Sequence, residues 1–273
     1  MRTFAVILFA LFACTLAFGQ ASPSPPTTSG LVQEPAAVAL VNQAVASAAG
    51  AVPVHDITLE GTATYTSGSD IETGTATLEA TSRDESLISI NLSDGSREWI
   101  RQGPAGVWIG PDGQAHAMAI HNCWMDAAWF FPALSLEAAS GNPAVGLSSA
   151  GPGTWQGASV ERLQWSTVPP GQPAKVASAI QSLAATEISL DASSLLPVAI
   201  DFNLHPDEDA GRNLPVEIRF SDYRIVSGVR MPFHIQKYLQ GGLLLDITVT
   251  SAAINTGLPD SVFNLPAVPG GQP

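Results

Sequence analysis

Three side chains able to ligate a transition metal, His116, His121 and Cys123, lie close together in the chain. Zinc takes N and S ligands in a tetrahedron. In an extended chain His121 and Cys123 share a face while His116 points away. No nearby carboxylate or second cysteine completes the set, so no metal site is expected there. The segment "HPDEDAGRN" carries Asp207, Glu208 and Asp209 but lacks the spaced ligands and terminal bidentate acid of a calcium loop. Its Pro, Asp and Gly content marks a solvated hairpin turn.

Signatures of catalysis are missing as well. "GLSSAG" is not a G-x-S-x-G elbow, "GPGTWQG" has the wrong spacing for a dinucleotide loop, and there is no H-E-x-x-H. Neither lysine, Lys175 or Lys237, follows the glycine of a phosphate loop. Carboxylates brought together only by folding leave no trace in spacing, so an enzyme would have to be argued from a site. The expectation is a non-enzymatic protein without a cofactor.

The most informative chemistry is aromatic. "MDAAWFFPALSLEAAS" places Trp129, Phe130 and Phe131 consecutively, with Trp124 before them and Leu134 after. If the insert is helical, neighbours point about 100° apart and all three cannot enter one core. Asp126 is placed to cap such a helix and Pro132 to kink or split it. Two roles are open: a plug that fills a core, or a lid over an apolar ligand pocket.

These groups must be positioned by a sheet, because from Val54 onward the hydrophobic period is two. Ile57, Leu59, Ala63 and Tyr65 alternate with polar residues, as do Ala76, Leu78 and Ala80, then Ile88, Ile90 and Leu92. "VEIRFSDYRIVSGVRMPFHIQKYL", Val216–Leu239, reads as a β-hairpin with one buried face. Val216, Ile218 and Phe220 alternate before "SDYRIVSG", and Val229, Met231, Phe233 and Ile235 after it. "PAKVASAIQSLAA" is ambiguous. Short loops imply antiparallel neighbours, and a meander this long must curl or close.

The ends of the chain are read separately. Arg2, the apolar run "FAVILFALFACTLAF" and small residues at Ala17 and Gly19 form a secretory signal peptide over residues 1–21. Bulky Phe12 and the apolar run beyond Cys14 disfavour lipid anchoring at that cysteine. Residues 22–33 are Pro/Ser/Thr-rich and read as a disordered tether. "EPAAVALVNQAVASAAG" follows as a short helix, with Pro35 in its first turn, Gly50 as its stop and Val38, Val41 and Val45 as its stripe. One domain is expected over residues 34–266, then a flexible tail over 267–273.

The formal charge is −13, and loss of Arg2 with the leader makes it −14. That argues against nucleic acid, whose phosphates demand clustered Lys and Arg. With Cys14 removed, Cys123 is left without an internal disulfide partner.

Taken together, the Ala/Val helix, "GTATYTSGSDIETGTATLEA" as a first hairpin, "IRFSDYRIVSGVRMPFHIQKY" as a late one and the ending "GLPDSVFNLP" resemble the exported lipoprotein-carrier superfamily, the LolA/LolB-like half-barrel proteins. The resemblance spans Pro35–Pro266 and includes no catalytic or ligand-specific motif. It implies acyl chains held between a concave antiparallel sheet and helical covers. The chain departs from the pattern in the insert "HAMAIHNCWMDAAWFF" and in lacking a recognisable partner-docking motif.

The expectation is therefore a mainly β, curved antiparallel half-barrel with a short N-terminal helix and a helical aromatic insert over its concave face. Its function is to hold an apolar small molecule, a lipid or an acylated protein, in the periplasm or outside the cell. Transient contact with a membrane or an envelope protein is part of that expectation. Cavity candidates are Trp124, Trp129, Phe130, Phe131, Leu134, Phe220, Phe233 and Ile235. The alternative is a cell-envelope interaction module with a filled core and no ligand.

Overall fold

The computed structural model describes residues 31–169 and 171–269. The expected signal peptide, most of the expected tether and the last four residues of the expected tail lie outside them. Among the described residues, no helix is long and apolar enough to cross a membrane.

Thirteen strands form one antiparallel sheet that curls without closing. In chain order the first six are β1 (Asp56–Ser67), β2 (Asp70–Thr81), β3 (Glu85–Leu92), β4 (Gly95–Gln102), β5 (Ala105–Ile109) and β6 (Ala115–Ala117). The other seven are β7 (Val145–Trp155), β8 (Ala158–Thr167), β9 (Thr186–Asp191), β10 (Pro197–Leu204), β11 (Leu214–Val226), β12 (Val229–Leu239) and β13 (Gly242–Ile254). The chain enters mid-sheet at β1, meanders out to the edge at β6, crosses to the opposite edge at β7 and meanders back until β13 pairs with β1. The insert is that crossing. It joins the two edge strands of the sheet.

Two helices lie against the sheet's apolar face. α1 (Pro35–Ala49) has proline in its first turn and stops at Gly50, whose φ of 59° suits a residue without a Cβ. Its fully buried stripe is Ala37, Val41, Ala44 and Ala48, with Val38 and Val45 only flanking it. Small residues face inward because α1 packs close to α2 (Pro132–Ala139), β7 and β12. The ambiguous segment forms α3 (Ala174–Leu183), which buries Ile180 alone among its residues.

Three sequence expectations change in detail. Pro132 starts α2 rather than kinking a helix, since the first helical position needs no N–H. The aromatic triplet therefore lies in a turn ahead of the helix. The stretch "SDYRIVSG" is mostly strand: β11 runs on to Val226, and the turn is only Ser227–Gly228, with φ of 49° and 88°. That is the two-residue geometry whose twist matches antiparallel strands. Residues 31–33 also lie along the sheet: Gln33 bridges to Leu147 and donates to the carbonyls of Asn142 and Val145.

Both arms of the sheet turn one face into a single core. Ile57, Leu59, Leu78 and Ile90 from one arm, and Leu163, Ile188, Ile218, Ile235 and Ile247 from the other, join Phe130, Phe131 and Leu134 of the crossing. The opposite face carries charge. Asp201 lies directly across from Glu187 on one neighbouring strand and Glu217 on the other. Burial, then Glu217 and Glu187, push its carboxyl up to about 6. A raised carboxylate pKa means the fold prefers the protonated form. That contribution is complete below about 4 and is lost as pH rises through about 6. Asp201→Asn is accordingly expected to raise stability at pH 8 by about 1–2 kcal/mol, discounted for partial exposure. The gain should vanish near pH 4, as urea unfolding at the two pH values will show.

Candidate ligand-binding site

The crossing is held in place by buried polar contacts before any aromatic packs. Arg101 of β4 is buried and donates to the carbonyls of Gly103, Asn122, Cys123 and Met125. Asn122 then reaches the other arm, donating to His205 O at 2.7 Å and accepting from His205 N at 2.9 Å. Further on, Ala127 N donates to Asp84 and Ala128 N to Asp126. Asp126 thus closes a local turn instead of capping α2.

The metal candidates fall within and just before this crossing. Ile120–Cys123 is a 3-10 turn, not an extended segment. His121 meets the ring of His205 edge-on at 5.9 Å, and exposed His116 stacks on Trp108 at 4.1 Å. Cys123 is buried, and burial raises its thiol pKa. Among the described residues, no three His, Cys, Asp or Glu side chains gather as a metal set.

The eight cavity candidates separate into three groups. Phe130, Phe131, Phe220, Phe233 and Ile235 are core residues, with Phe130 and Phe131 fully buried and their ring centroids 4.5 Å apart. They line none of the described cavities. The turn conformation lets both phenylalanines point inward, because this segment passes through the interior instead of lying on its surface. Trp124 and Leu134 line a cavity of mixed wall, with Asp84, Asp126 and Ser135 beside Met125, Val145 and Trp165.

Trp129 is different. It is half-buried, meets Phe130 edge-on at 5.0 Å and lies 6.3 Å from Phe202. With Phe202 it lines a cavity of about 200 Å³ between the two arms of the sheet. One side is Tyr65, Ile88, Trp99 and Arg101, the other Leu204, Leu245 and Lys237, and Met118 and Met125 come from the crossing. Most of this wall is aromatic or aliphatic, with few polar groups, as in small-molecule sites. Methionines add adaptable surface.

Lys237 is the unexpected member. It sits on β12 opposite Ile218 and Leu245, and Tyr65 is next across from Leu245. Its ammonium lies 5.0 Å from the centroid of the Trp129 ring, within cation–π range. Burial lowers its pKa to about 8. The sequence contained the signal: Val229, Met231, Phe233 and Ile235 point inward, and one more step of the same period reaches Lys237. Phe202 carried the same mark, alternating with Ile200 and Leu204, whereas Arg101 and Trp99 did not.

A second and larger cavity, about 550 Å³, is an open groove that includes Glu34, Gln164, Glu187 and Asp201. Its acidic, open character suits water better than hydrocarbon.

The geometry is that of a curled sheet closed over by a crossing segment, with an apolar cavity between them. It is a LolA/LolB-like fold. No protein-family model matches the sequence, and no curated protein matches it. Among solved structures, the chain is similar to a domain from Vibrio parahaemolyticus assigned as an outer membrane lipoprotein-sorting protein. The TM-score is 0.53 at 11% identity, covering 84% of this chain and 96% of that one. A LolA superfamily protein from Nitrosomonas europaea gives 0.52 at 11% identity, covering 84% and 97%. A DUF1329 family protein from Desulfovibrio piger gives 0.52 at 12% identity, covering 84% and 96%. At such identities the likeness defines the fold alone.

Proposed function

We propose that this chain is an exported, non-catalytic binding protein that holds one apolar chain, from a lipid or an acylated protein, in the cavity beneath Trp129. The observation that carries this reading is the cavity itself, an apolar-walled space of about 200 Å³ between the two arms of the sheet. The volume lies below the roughly 300–1,000 Å³ of drug-sized pockets, which favours a single chain segment over a diacyl lipid. At about 0.8 kcal/mol per buried methylene, six methylenes supply about 5 kcal/mol before the costs of association. Export rests on the leader-like first 21 residues, and the lipoprotein-sorting name of one fold neighbour agrees with an acylated ligand. No reaction is part of the proposal.

The competing reading is an envelope interaction module with a filled core. It draws on the burial of Phe130, Phe131, Phe220, Phe233 and Ile235 in one packed cluster. Titrating dodecanol while following tryptophan fluorescence separates the two. The ligand reading predicts saturable binding that weakens at least about tenfold in Trp129→Ala, through lost contact area, with little change in unfolding midpoint. No saturable signal would favour the filled module.

A further inference from the structure

The cavity wall contains a cation that the fold does not need. The chain has 11 Lys and Arg against 24 Asp and Glu, yet one of its two lysines lies on an inward-facing rung of the sheet. Across the neighbouring strands that rung reads Ile188, Ile200, Ile218, Lys237, Leu245 and Tyr65. A leucine or methionine there would continue the row without desolvating a charge. Four arginines of the sheet are treated otherwise: Arg97 pairs with Asp94, Arg162 with Glu187, Arg219 with Glu217 and Arg224 with Asp222. Among the described residues Lys237 has no such carboxylate. The contact defined for its ammonium is the Trp129 ring, and burial alone sets its titration.

Building on the apolar-ligand reading, we propose that Lys237 receives the anionic headgroup of a single-chain amphiphile whose hydrocarbon lies along Trp129, Phe202 and Leu245. The shared chemistry is an oxyanion at the end of one alkyl chain, supplied either by a carboxylate or by a phosphate ester. Arg101 adds a second positive charge to the same cavity: its two terminal nitrogens are committed to carbonyls, while its buried Nε has no partner among the described residues. Asp207 is the one carboxylate on the lining and Tyr65 the one phenol.

The test is calorimetric titration of the full mature chain with dodecanol, dodecanoate and dodecyl phosphate at submicellar concentrations. Both anions are expected to bind about 10- to 100-fold more tightly than dodecanol, the range for a hydrogen bond to a charged group. The tighter of the two identifies the source of the headgroup. Lys237→Met should erase the preference while keeping dodecanol binding, and Lys237→Arg should retain it. Anion affinity should fall about 7- to 20-fold between pH 7 and pH 9.5 as the lysine, whose pKa is about 8, loses its proton and the preference with it. Dodecanol binding should stay flat over that range. Equal affinity for dodecanol and both anions in the unaltered chain would overturn the headgroup role and leave the apolar-ligand reading standing. Failure of all three to bind would overturn both.

Discussion

Phe131→Ala is expected to lower the stability of this fold by about 3–5 kcal/mol, the range for removing a buried aromatic ring from a core. Phe131 is fully buried, packs on Phe130 at 4.5 Å and sits where the crossing enters α2. Its ring touches the cluster fed by both arms of the sheet, so the void cannot be closed by a small shift of one strand. For a domain whose total stability is about 5–15 kcal/mol, that is a third or more of the margin. Urea unfolding measures it, with Trp129→Ala as the contrast. The half-buried tryptophan should cost less than about 2 kcal/mol while abolishing most ligand affinity. A loss below 1 kcal/mol for Phe131→Ala would mean that the crossing rests on the sheet without forming its core.

Arg101→Leu is the second large effect, with an expected loss of about 3–5 kcal/mol. The guanidinium satisfies carbonyls of Gly103, Asn122, Cys123 and Met125. Each buried acceptor left without a donor costs roughly 1–3 kcal/mol. Three of those carbonyls belong to the crossing, so the variant should loosen the crossing before it unfolds the sheet. Cys123 reports this locally because its thiol is buried in the intact fold. Alkylation at Cys123, read by peptide mass, should quicken by at least about tenfold in the variant, while Asp201→Asn leaves it unchanged. Equal alkylation rates would show that Arg101 does not hold the crossing down.

Much of this architecture was legible in the sequence for a physical reason. A half-buried sheet writes its geometry as period-two alternation, so Ile57–Tyr65, Ala76–Ala80 and Val229–Ile235 could be assigned to strands. Pro35 and Gly50 bracket α1 because each fits one helix end and not the interior. What alternation cannot write is which distant strands pair. Nothing in β1 or β13 announces that they are neighbours, and so the entry at mid-sheet was not readable. Backbone conformation at the aromatic triplet was also hidden. A helix would have forced Trp129, Phe130 and Phe131 onto different faces, whereas a turn threading the interior buries both phenylalanines. That difference moves the candidate site from the triplet as a whole to Trp129 and the sheet walls opposite it. Lys237 is hidden in the sequence because a lysine ends an apolar pattern by residue type, although its register continues it.

The most direct measurement is native mass spectrometry of the mature chain isolated gently from a periplasmic expression host, followed by organic extraction of the bound material. The expected result is one equivalent of an acyl-bearing molecule, retained by the unaltered chain and lost from Trp129→Ala. A bare mass that stays unchanged when single-chain amphiphiles are added would contradict ligand carriage and leave a filled half-barrel that acts through its surface.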